Sequence, residues 1–385
     1  MNIRFARESE KDNIRDIWDY CFNDGPKFTD YYFENKYDNE NTVVVEEDGE
    51  IVSSLQLNQY KLELNEKLYD SSYVVGVSTF PQVRGKGYMK NIMHFTLNEL
   101  YKKKQLVSIL MPIDYRLYRK YGYEHCYDQI EYDLDMEDLR TFKSSGNMKK
   151  ANLNHIEEMM EIQENCLKNV NGNIKRDEDY YKSLFKEVNS EDGHIYIYEN
   201  ADDKGYIIYF INGENMFVRE LYYTSLESLK AMLKFIYNHN TQCKKVTISA
   251  PINDKIRLIL ANPRTANMKL KPFMMGRVIN FEEYLKTLEI ENDIKGSLNI
   301  SVKDDFIKEN NKVFKINLEN NKVSVETGDF SPHVEFDINT ISQLSFSYID
   351  GSEAFLLNNL KEDKNIIEFL DTLFIKKENY INEYI

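Results

Sequence analysis

Apolar and polar residues follow short repeating patterns over the first third of the chain, and these patterns predict a series of strands and helices. Residues 2–6 alternate as a strand does, and the next two segments repeat apolar residues at helical spacing. The helical positions are Ile14, Ile17, Trp18 and Cys21 in one segment and Phe28, Tyr31, Tyr32 and Phe33 in the next. Residues 42–47, 50–57 and 60–64 then predict an antiparallel meander, with Asp48-Gly49 at its first turn.

A glycine-containing loop comes next. The apolar run at residues 73–77 leads into Gly85-Lys-Gly87, and apolar residues then recur at helical spacing from Met89 to Leu100. This segment therefore predicts a strand, a loop and a helix. Residues 106–111 predict a buried strand, and a short helix at 114–120 and a last strand to residue 134 follow.

The residues of this loop are suited to binding an anion. Gly85 and Gly87 can adopt positive φ angles, and a helix N-terminus presents unpaired N–H groups and a positive dipole end. The spacing Gln82-x-x-Gly85-x-Gly87 matches neither the Walker pattern nor the Rossmann pattern. It resembles the pyrophosphate loop of the GNAT acyltransferases, which bind acetyl-coenzyme A. The pattern alone is equally consistent with an ordinary glycine turn.

The predicted element order also resembles the GNAT topology, and this second agreement favours coenzyme A binding. The resemblance implies that the fourth and fifth strands splay apart and expose backbone groups of Val77, Ser78 and Thr79 to the pantetheine arm. Ile113 and Asp114 would flank the same arm. The resemblance also implies coenzyme contacts from the loop and the first helical turn, at Arg84, Gly85, Lys86, Gly87, Tyr88, Met89 and Lys90.

The element order recurs after a predicted linker at residues 143–150, but without the glycine loop. The corresponding junction reads Tyr222-Tyr-Thr-Ser-Leu-Glu-Ser228 and has no glycine and no basic residue. Short strands and helices follow from about residue 281. Two GNAT-like units and a unit resembling sterol carrier proteins form the architecture of the enhanced intracellular survival (Eis) acetyltransferases. We therefore predict an α/β (α+β) chain with a catalytic GNAT domain at 1–143, a degenerate one at 144–280 and a sterol-carrier-like domain at 281–385.

The Eis resemblance also implies catalytic residues. Its general acid aligns with Tyr118, and its base is the chain's terminal carboxylate, here that of Ile385; Glu383 is an alternative base. Without the resemblance, a packing role for Tyr118 would be favoured. We expect the substrate pocket in residues 19–40, where the predicted substrate contacts are Asp24, Asp30, Tyr31 and Glu34.

Composition narrows the possible partners. The net charge of −15 argues against nucleic acid and anionic membranes as main partners, since both favour a basic surface. The four cysteines form no Cys-x-x-Cys pair, so no metal site is predicted. No signal peptide or membrane span is evident, and we predict a cytoplasmic protein. The Eis resemblance implies a homo-oligomer, either a trimer or a hexamer.

These observations predict an acetyl-CoA-dependent N-acetyltransferase that acts on a primary amine of a cationic acceptor, of the aminoglycoside, polyamine or lysine type. The alternative is a non-catalytic protein that binds or senses acyl-CoA and holds an apolar ligand in its third domain.

Overall fold

The computed structural model describes residues 1–22, 24–290 and 294–384. The N-terminal part contains β1 Asn2–Phe5, α1 Lys11–Cys21, α2 Pro26–Asn35, β2 Thr42–Glu47, β3 Glu50–Leu64, β4 Lys67–Thr79, α3 Tyr88–Lys102, β5 Val107–Leu110, α4 Tyr115–Arg119 and β6 Glu124–Asp135. The two segments predicted at 50–57 and 60–64 form one strand, because Asn58 and Gln59 continue the ladder with β4. Otherwise the order is the predicted one.

The middle part repeats this order. It contains β7 Asn147–Lys150, α5 Ile156–Leu167, β8 Asn173–Ile174, α6 Glu178–Ser190, β9 His194–Asn200, β10 Asp203–Asn212, β11 Asn215–Tyr223, α7 Leu226–Tyr237, β12 Lys245–Ala250, α8 Ile256–Ile259 and β13 Asn267–Val278. The predicted linker at 143–150 is wrong in part, since β7 pairs with β9 as an edge strand of the sheet.

The first two units share one sheet. Its main path is β1-β2-β3-β4-β5-β13-β6-β12-β11-β10-β9-β7. The last strand of each unit is thus exchanged: β13 lies between β5 and β6, and β6 pairs with β12 of the second unit. Residues 273–278 of β13 are all buried because strands flank them on both sides. The sequence patterns did not predict this exchange.

The C-terminal unit has its own sheet and several helices. It contains α9 Phe281–Thr287, β14 Gly296–Lys303, β15 Val313–Glu319, β16 Lys322–Thr327, β17 Val334–Asp337, α10 Ile338–Ser345, α11 Gly351–Leu357 and α12 Lys364–Leu373. The sheet order is β16-β15-β14-β17. Alternate residues such as Ile300, Phe314 and Ile316 are buried in a cluster with α10 and α12, so these apolar side chains pack on one another.

A buried ion pair joins this unit to the shared sheet. Arg277 on β13 donates from Nη2 to both carboxylate oxygens of Asp304, at 3.0 and 2.9 Å. Both side chains are fully buried, so loss of either partner would leave an uncompensated charge. Over the described residues, no helix is long and apolar enough to cross a membrane.

The strand exchange predicts that the fragment 1–143 does not fold alone. Without β13, the facing edges of β5 and β6 have no partner and expose apolar side chains. We expect the fragment to aggregate or to lack near-UV circular dichroism, whereas co-expression with 144–385 should restore a soluble complex. A monomeric fragment that unfolds cooperatively would contradict the exchange.

Candidate active site

The glycine loop forms an open helix N-terminus. Gly85 and Gly87 have φ angles of +85° and +84°, and Gly87 is the N-cap of α3. No side chain caps this end, so the backbone donors of the first turn remain available. A Cβ atom at either glycine would meet nothing within 4 Å. Backbone conformation, rather than space, is therefore what requires glycine here.

Charged side chains surround the loop, and one of them, Glu47, was not among the predicted site residues. Arg84 donates from Nε to the Thr79 carbonyl oxygen at 3.0 Å. Lys86 pairs with Glu47 at 3.2 Å, and the Tyr88 hydroxyl donates to the same carboxylate. These two partners hold the pKa of Glu47 below its usual value, the tyrosine hydrogen bond being the larger cause. Glu47 is the last residue of β2, directly before the predicted Asp48-Gly49 turn. This position next to the turn is the sequence feature that could have indicated it.

The other predicted loop contacts differ in exposure. Lys90 is exposed on the first turn of α3, Met89 is half-buried, and the Tyr88 ring is buried against the first unit's core. The loop therefore presents backbone N–H groups and basic side chains to solvent, with its apolar residues turned inward.

β4 separates from β5 just before this loop. The two strands pair in parallel from Ser71 opposite Val107 to Val74 opposite Leu110, and the pairing ends there although β4 continues to Thr79. Backbone groups of Val77, Ser78 and Thr79 thus lie beyond the last pair. Ile113, which is 81% exposed, and Asp114, which caps α4 through Arg116 N at 2.9 Å, follow β5 on the other side.

A bulge in β4 accompanies this divergence. Gln56 lies opposite Val75 and Ser54 opposite Ser78, so β4 has one more residue than β3 over this stretch. Gly76 has a φ of +58°, and a Cβ atom there would lie 2.1 Å from Gln56 Oε1 and 2.2 Å from Trp18 Cζ3. Only glycine fits this position.

A cavity of about 670 Å³ opens at the diverging strands. Its residues come from α1, the α1–α2 loop and α2, from the divergence, from the second unit and from the C-terminus: Trp18, Phe22, Asp24, Gly25, Phe28, Gly76, Met111, Pro112, Ile113, Glu191, Phe210, Phe217, Arg219 and Tyr384. Trp18 Nε1 donates to Asp24 Oδ2 at 3.0 Å, which fixes this carboxylate at the cavity.

The other three predicted substrate contacts lie outside the described lining of this cavity. Asp30 pairs with Arg15 at 2.5 Å on the surface, and Glu34 is exposed. The buried Tyr31 hydroxyl shares a hydrogen bond of 2.7 Å with Ser183 of the second unit. Burial raises the pKa of Tyr31 to about 12. Of the four residues, the structure brings Asp24 alone to the cavity.

The second unit supplies charged residues that sequence patterns could not assign to the site. Arg219 is 5% exposed, and its Nη1 donates to Glu187 at 2.7 Å. Glu191 is exposed at the rim, where partial desolvation raises the pKa of its carboxyl; Glu187 and Asp24 also raise it, and Arg219 opposes them. No short motif signals these residues, because they approach the first unit only in the folded chain.

Tyr118 lies in α4, next to the diverging strands but outside the cavity lining. Its ring is buried, and burial raises the pKa of its hydroxyl to about 12, with a smaller contribution from Tyr121. Among the described residues its hydroxyl has no hydrogen-bond partner. The neighbouring Tyr123 hydroxyl is bound to Ser108 at 2.8 Å, and the Tyr121 hydroxyl is buried without a partner.

The last residues of the chain pass through the protein interior. Asn379 Nδ2 donates to the carbonyl oxygens of Phe346 and Cys126, and Gln129 Nε2 donates to that of Ile381 at 3.0 Å. Tyr384 reaches the cavity. Ile385, the predicted base, lies outside the described residues.

Glu383 is held in a buried network. Arg176 Nη2 donates to Glu383 Oε1 at 2.9 Å and to Glu220 Oε1 at 2.9 Å, and the Tyr180 hydroxyl donates to Glu383 Oε2 at 2.5 Å. A carboxylate that is already bound to a guanidinium and a hydroxyl is poorly placed to remove a proton from a substrate. The alternative of Glu383 as the base is therefore not supported.

The matching junction of the second unit is closed. Ser225 caps α7 by accepting from the Ser228 backbone N–H at 3.1 Å, and Ser228 Oγ accepts from the Ser225 N–H at 3.0 Å. The Ser228 N–H group in the first turn of α7 thus has a side-chain partner, whereas the N-cap residue of α3 supplies none. Within the described ranges, no cluster of three or more His, Cys, Asp or Glu side chains could hold a metal ion.

Comparison with known protein families agrees with this geometry. Residues 2–126 and residues 172–278 each match a family model of the acetyltransferase (GNAT) domain, and residues 281–382 match one of the sterol carrier protein domain. None of the curated proteins matches the chain significantly.

Solved structures share the whole fold. A protein of unknown function from Enterococcus faecalis V583, described as a probable N-acyltransferase, is 22% identical with a TM-score of 0.87, covering 100% of this chain and 99% of its own. A GCN5-related N-acetyltransferase from Anabaena variabilis ATCC 29413 is 18% identical with a TM-score of 0.86, and Eis1 from Mycobacterium abscessus is 14% identical with a TM-score of 0.77. Each of these two matches covers 100% of this chain and 100% of the other protein's chain. The predicted fold class and the Eis-type domain order are confirmed.

The loop geometry predicts that Gly87→Val weakens coenzyme A binding by about tenfold or more, because a β-branched residue resists the φ angle that directs the loop donors. Gly213→Val is the matched control, since Gly213 also has a positive φ and open space around it but lies in the β10–β11 turn. Both variants should lose about 1–3 kcal/mol of stability. Isothermal titration with coenzyme A should separate them, and equal affinities would contradict the assignment.

Proposed function

The chain is an acetyltransferase built from two GNAT domains and a C-terminal sterol carrier domain, and we propose that it transfers acetyl from acetyl-CoA to a primary amine of a cationic acceptor. The observation that carries this proposal is the continuity of the site. An open anion-binding loop, an unpaired strand edge and a cavity with carboxylates at its rim follow one another along β4.

The residues of the first domain fit the parts of acetyl-CoA. The free N–H groups after Gly87, with Lys86 and Lys90, would hold the pyrophosphate, and the β4 edge at Val77 to Thr79 would bind the pantetheine arm as an added strand. The coenzyme supplies an activated acetyl thioester. Its reacting end would then lie at the Gly76 bulge, which forms part of the cavity wall.

Two groups would carry out the proton transfers. Transfer to an amine needs a neutral nucleophile and a proton for the departing thiolate. Tyr118 carries its proton at neutral pH because even the ordinary pKa of a tyrosine is about 10, and its hydroxyl has no competing partner among the described residues. The terminal carboxylate, one residue beyond Tyr384, would accept or relay the amine proton. The buried segment from Asn379 to Glu383 would fix its position.

The acidic rim supports a cationic acceptor. Asp24 and Glu191 are both exposed at the cavity and belong to different domains, and the interior Arg219 is neutralised by Glu187. Two carboxylates raise the local concentration of cations. Release of free thiol from acetyl-CoA in the presence of an amine panel tests the function directly. Tight coenzyme binding without thiol release for any amine would favour the non-catalytic alternative.

We expect Tyr118→Phe to lower kcat by roughly 10²–10⁴-fold, because it removes the general acid, and to leave acetyl-CoA affinity nearly unchanged. Tyr121→Phe is the control: it removes a buried hydroxyl that has no partner among the residues the structure describes, so stability and turnover should be kept. Steady-state kinetics and thermal unfolding distinguish the two. A Tyr118→Phe variant with lower stability and unchanged kcat would assign Tyr118 to packing.

A C-terminal tag should abolish or sharply reduce turnover, because an added residue replaces the terminal carboxylate with an amide and places bulk in the cavity. The same tag on the exposed N-terminus should be harmless. Deletion of Ile385 should act like the C-terminal tag and should retain coenzyme A binding. If the C-terminally tagged enzyme turns over at the untagged rate, a side chain at the cavity, such as Asp24, must be the base.

A further inference from the structure

The walls of the acceptor cavity are mainly aromatic. Six rings line it, three from the first domain, two from the second and one from the C-terminus: Trp18, Phe22, Phe28, Phe210, Phe217 and Tyr384. Trp18 and Phe22 lie 5.0 Å apart, and Tyr384 lies 6.3 Å from Phe217 in an edge-on arrangement. Rings held in this way present flat apolar surfaces and electron-rich faces, which suit another ring or a cation.

Two polar groups of the cavity are already bound to neighbouring carboxylates. The Trp18 N–H is used by Asp24, and the Arg219 guanidinium is held by Glu187 beneath the Phe210 ring. The Tyr384 hydroxyl is buried away from the cavity, so this residue offers its ring alone. A ligand with many hydroxyl groups would lose its hydrogen bonds to water on entering and would find few replacements, because the described lining is mainly apolar apart from Asp24, Glu191 and Arg219.

Three charged residues, Asp24, Glu191 and Arg219, are found among the described lining of the cavity. The carboxylates of Asp24 and Glu191 belong to exposed residues, and Asp24 lies beside the buried Trp18, whose Nε1 donates to it. The positive charge of the interior Arg219 guanidinium is balanced by the negative charge of its Glu187 partner. A second ammonium group placed away from Asp24 and Glu191 would meet rings and the Arg219 side chain but no further carboxylate of the described lining, so a linear polyamine is poorly matched.

From this arrangement we infer that the acceptor is a primary amine on a short chain attached to a flat apolar ring, an arylalkylamine, rather than an aminoglycoside or a linear polyamine. The carboxylates of Asp24 and Glu191 attract the ammonium form, the rings enclose the flat body, and the amine reaches the Gly76 bulge, which packs against the same Trp18 indole that binds Asp24. In the transfer the ammonium group first gives up one proton; the neutral amine nitrogen then bonds to the acetyl carbon, the carbon–sulfur bond breaks, and the nitrogen loses a second proton while the thiolate gains one. This inference rests on the proposed function.

The test compares kcat/KM for thiol release with five amines: 2-phenylethylamine, tryptamine, lysine, spermidine and kanamycin. We expect the two arylalkylamines to exceed the others at least about tenfold. Preference for kanamycin, spermidine or lysine would overturn the inference and leave the acetyltransferase proposal intact. Absence of turnover with every amine, in a protein that still binds acetyl-CoA, would overturn both.

A wall variant tests whether the rings themselves select the acceptor. Phe217→Ala should raise KM for 2-phenylethylamine by about tenfold or more and leave KM for acetyl-CoA unchanged, because Phe217 lines the acceptor cavity away from the glycine loop. Phe330→Ala in the third domain is the matched control and should change neither constant. The Phe217→Leu variant keeps an apolar side chain at this position, so it separates an effect of the lost ring from an effect on folding. Unchanged KM for 2-phenylethylamine in a folded Phe217→Ala variant would overturn the role of the rings.

Discussion

The separation of β4 from β5 after Val74 is the constraint on which the rest of the site depends. Two parallel strands that continued to pair would close the edge along which an extended ligand can bind. The bulge at Gly76 accompanies the separation, and the side chains of Gln56 and Trp18 leave no room for a Cβ atom there. A single glycine therefore links the strand edge, the indole of α1 and the cavity wall.

The second and third domains complete a site that the first domain cannot build alone. β13 fills the gap between β5 and β6, and the second domain supplies Arg219 and Glu191 to the cavity. Asn339 of the third domain donates to the carbonyl oxygens of Arg119 and Tyr123, on either side of the turn after α4. The second domain has a helix N-terminus that is capped by Ser225, and it lines the cavity of the first domain.

Much of the element order and of the loop geometry could be predicted from the sequence, because local patterns determine both. Helical spacing and alternation predicted the element order, and the spacing of Gly85 and Gly87 predicted an open helix N-terminus. The strand exchange could not be predicted, because the residue patterns of β13 and β6 are compatible with several pairings. Which strands pair depends on tertiary contacts. Asp30 and Glu34 were chosen by residue type, whereas the cavity takes its second exposed carboxylate from Glu191, more than 150 residues away.

Hydrogen–deuterium exchange with and without coenzyme A tests the central claim, that the unpaired edge of β4 and the loop after it form the coenzyme site. The account predicts slower exchange of amides at 75–79 and 85–88 on binding, because both segments gain hydrogen-bond partners. The capped junction at 222–228 in the second domain should be unaffected. Protection at 222–228, or binding that leaves 75–79 and 85–88 unchanged, would contradict it.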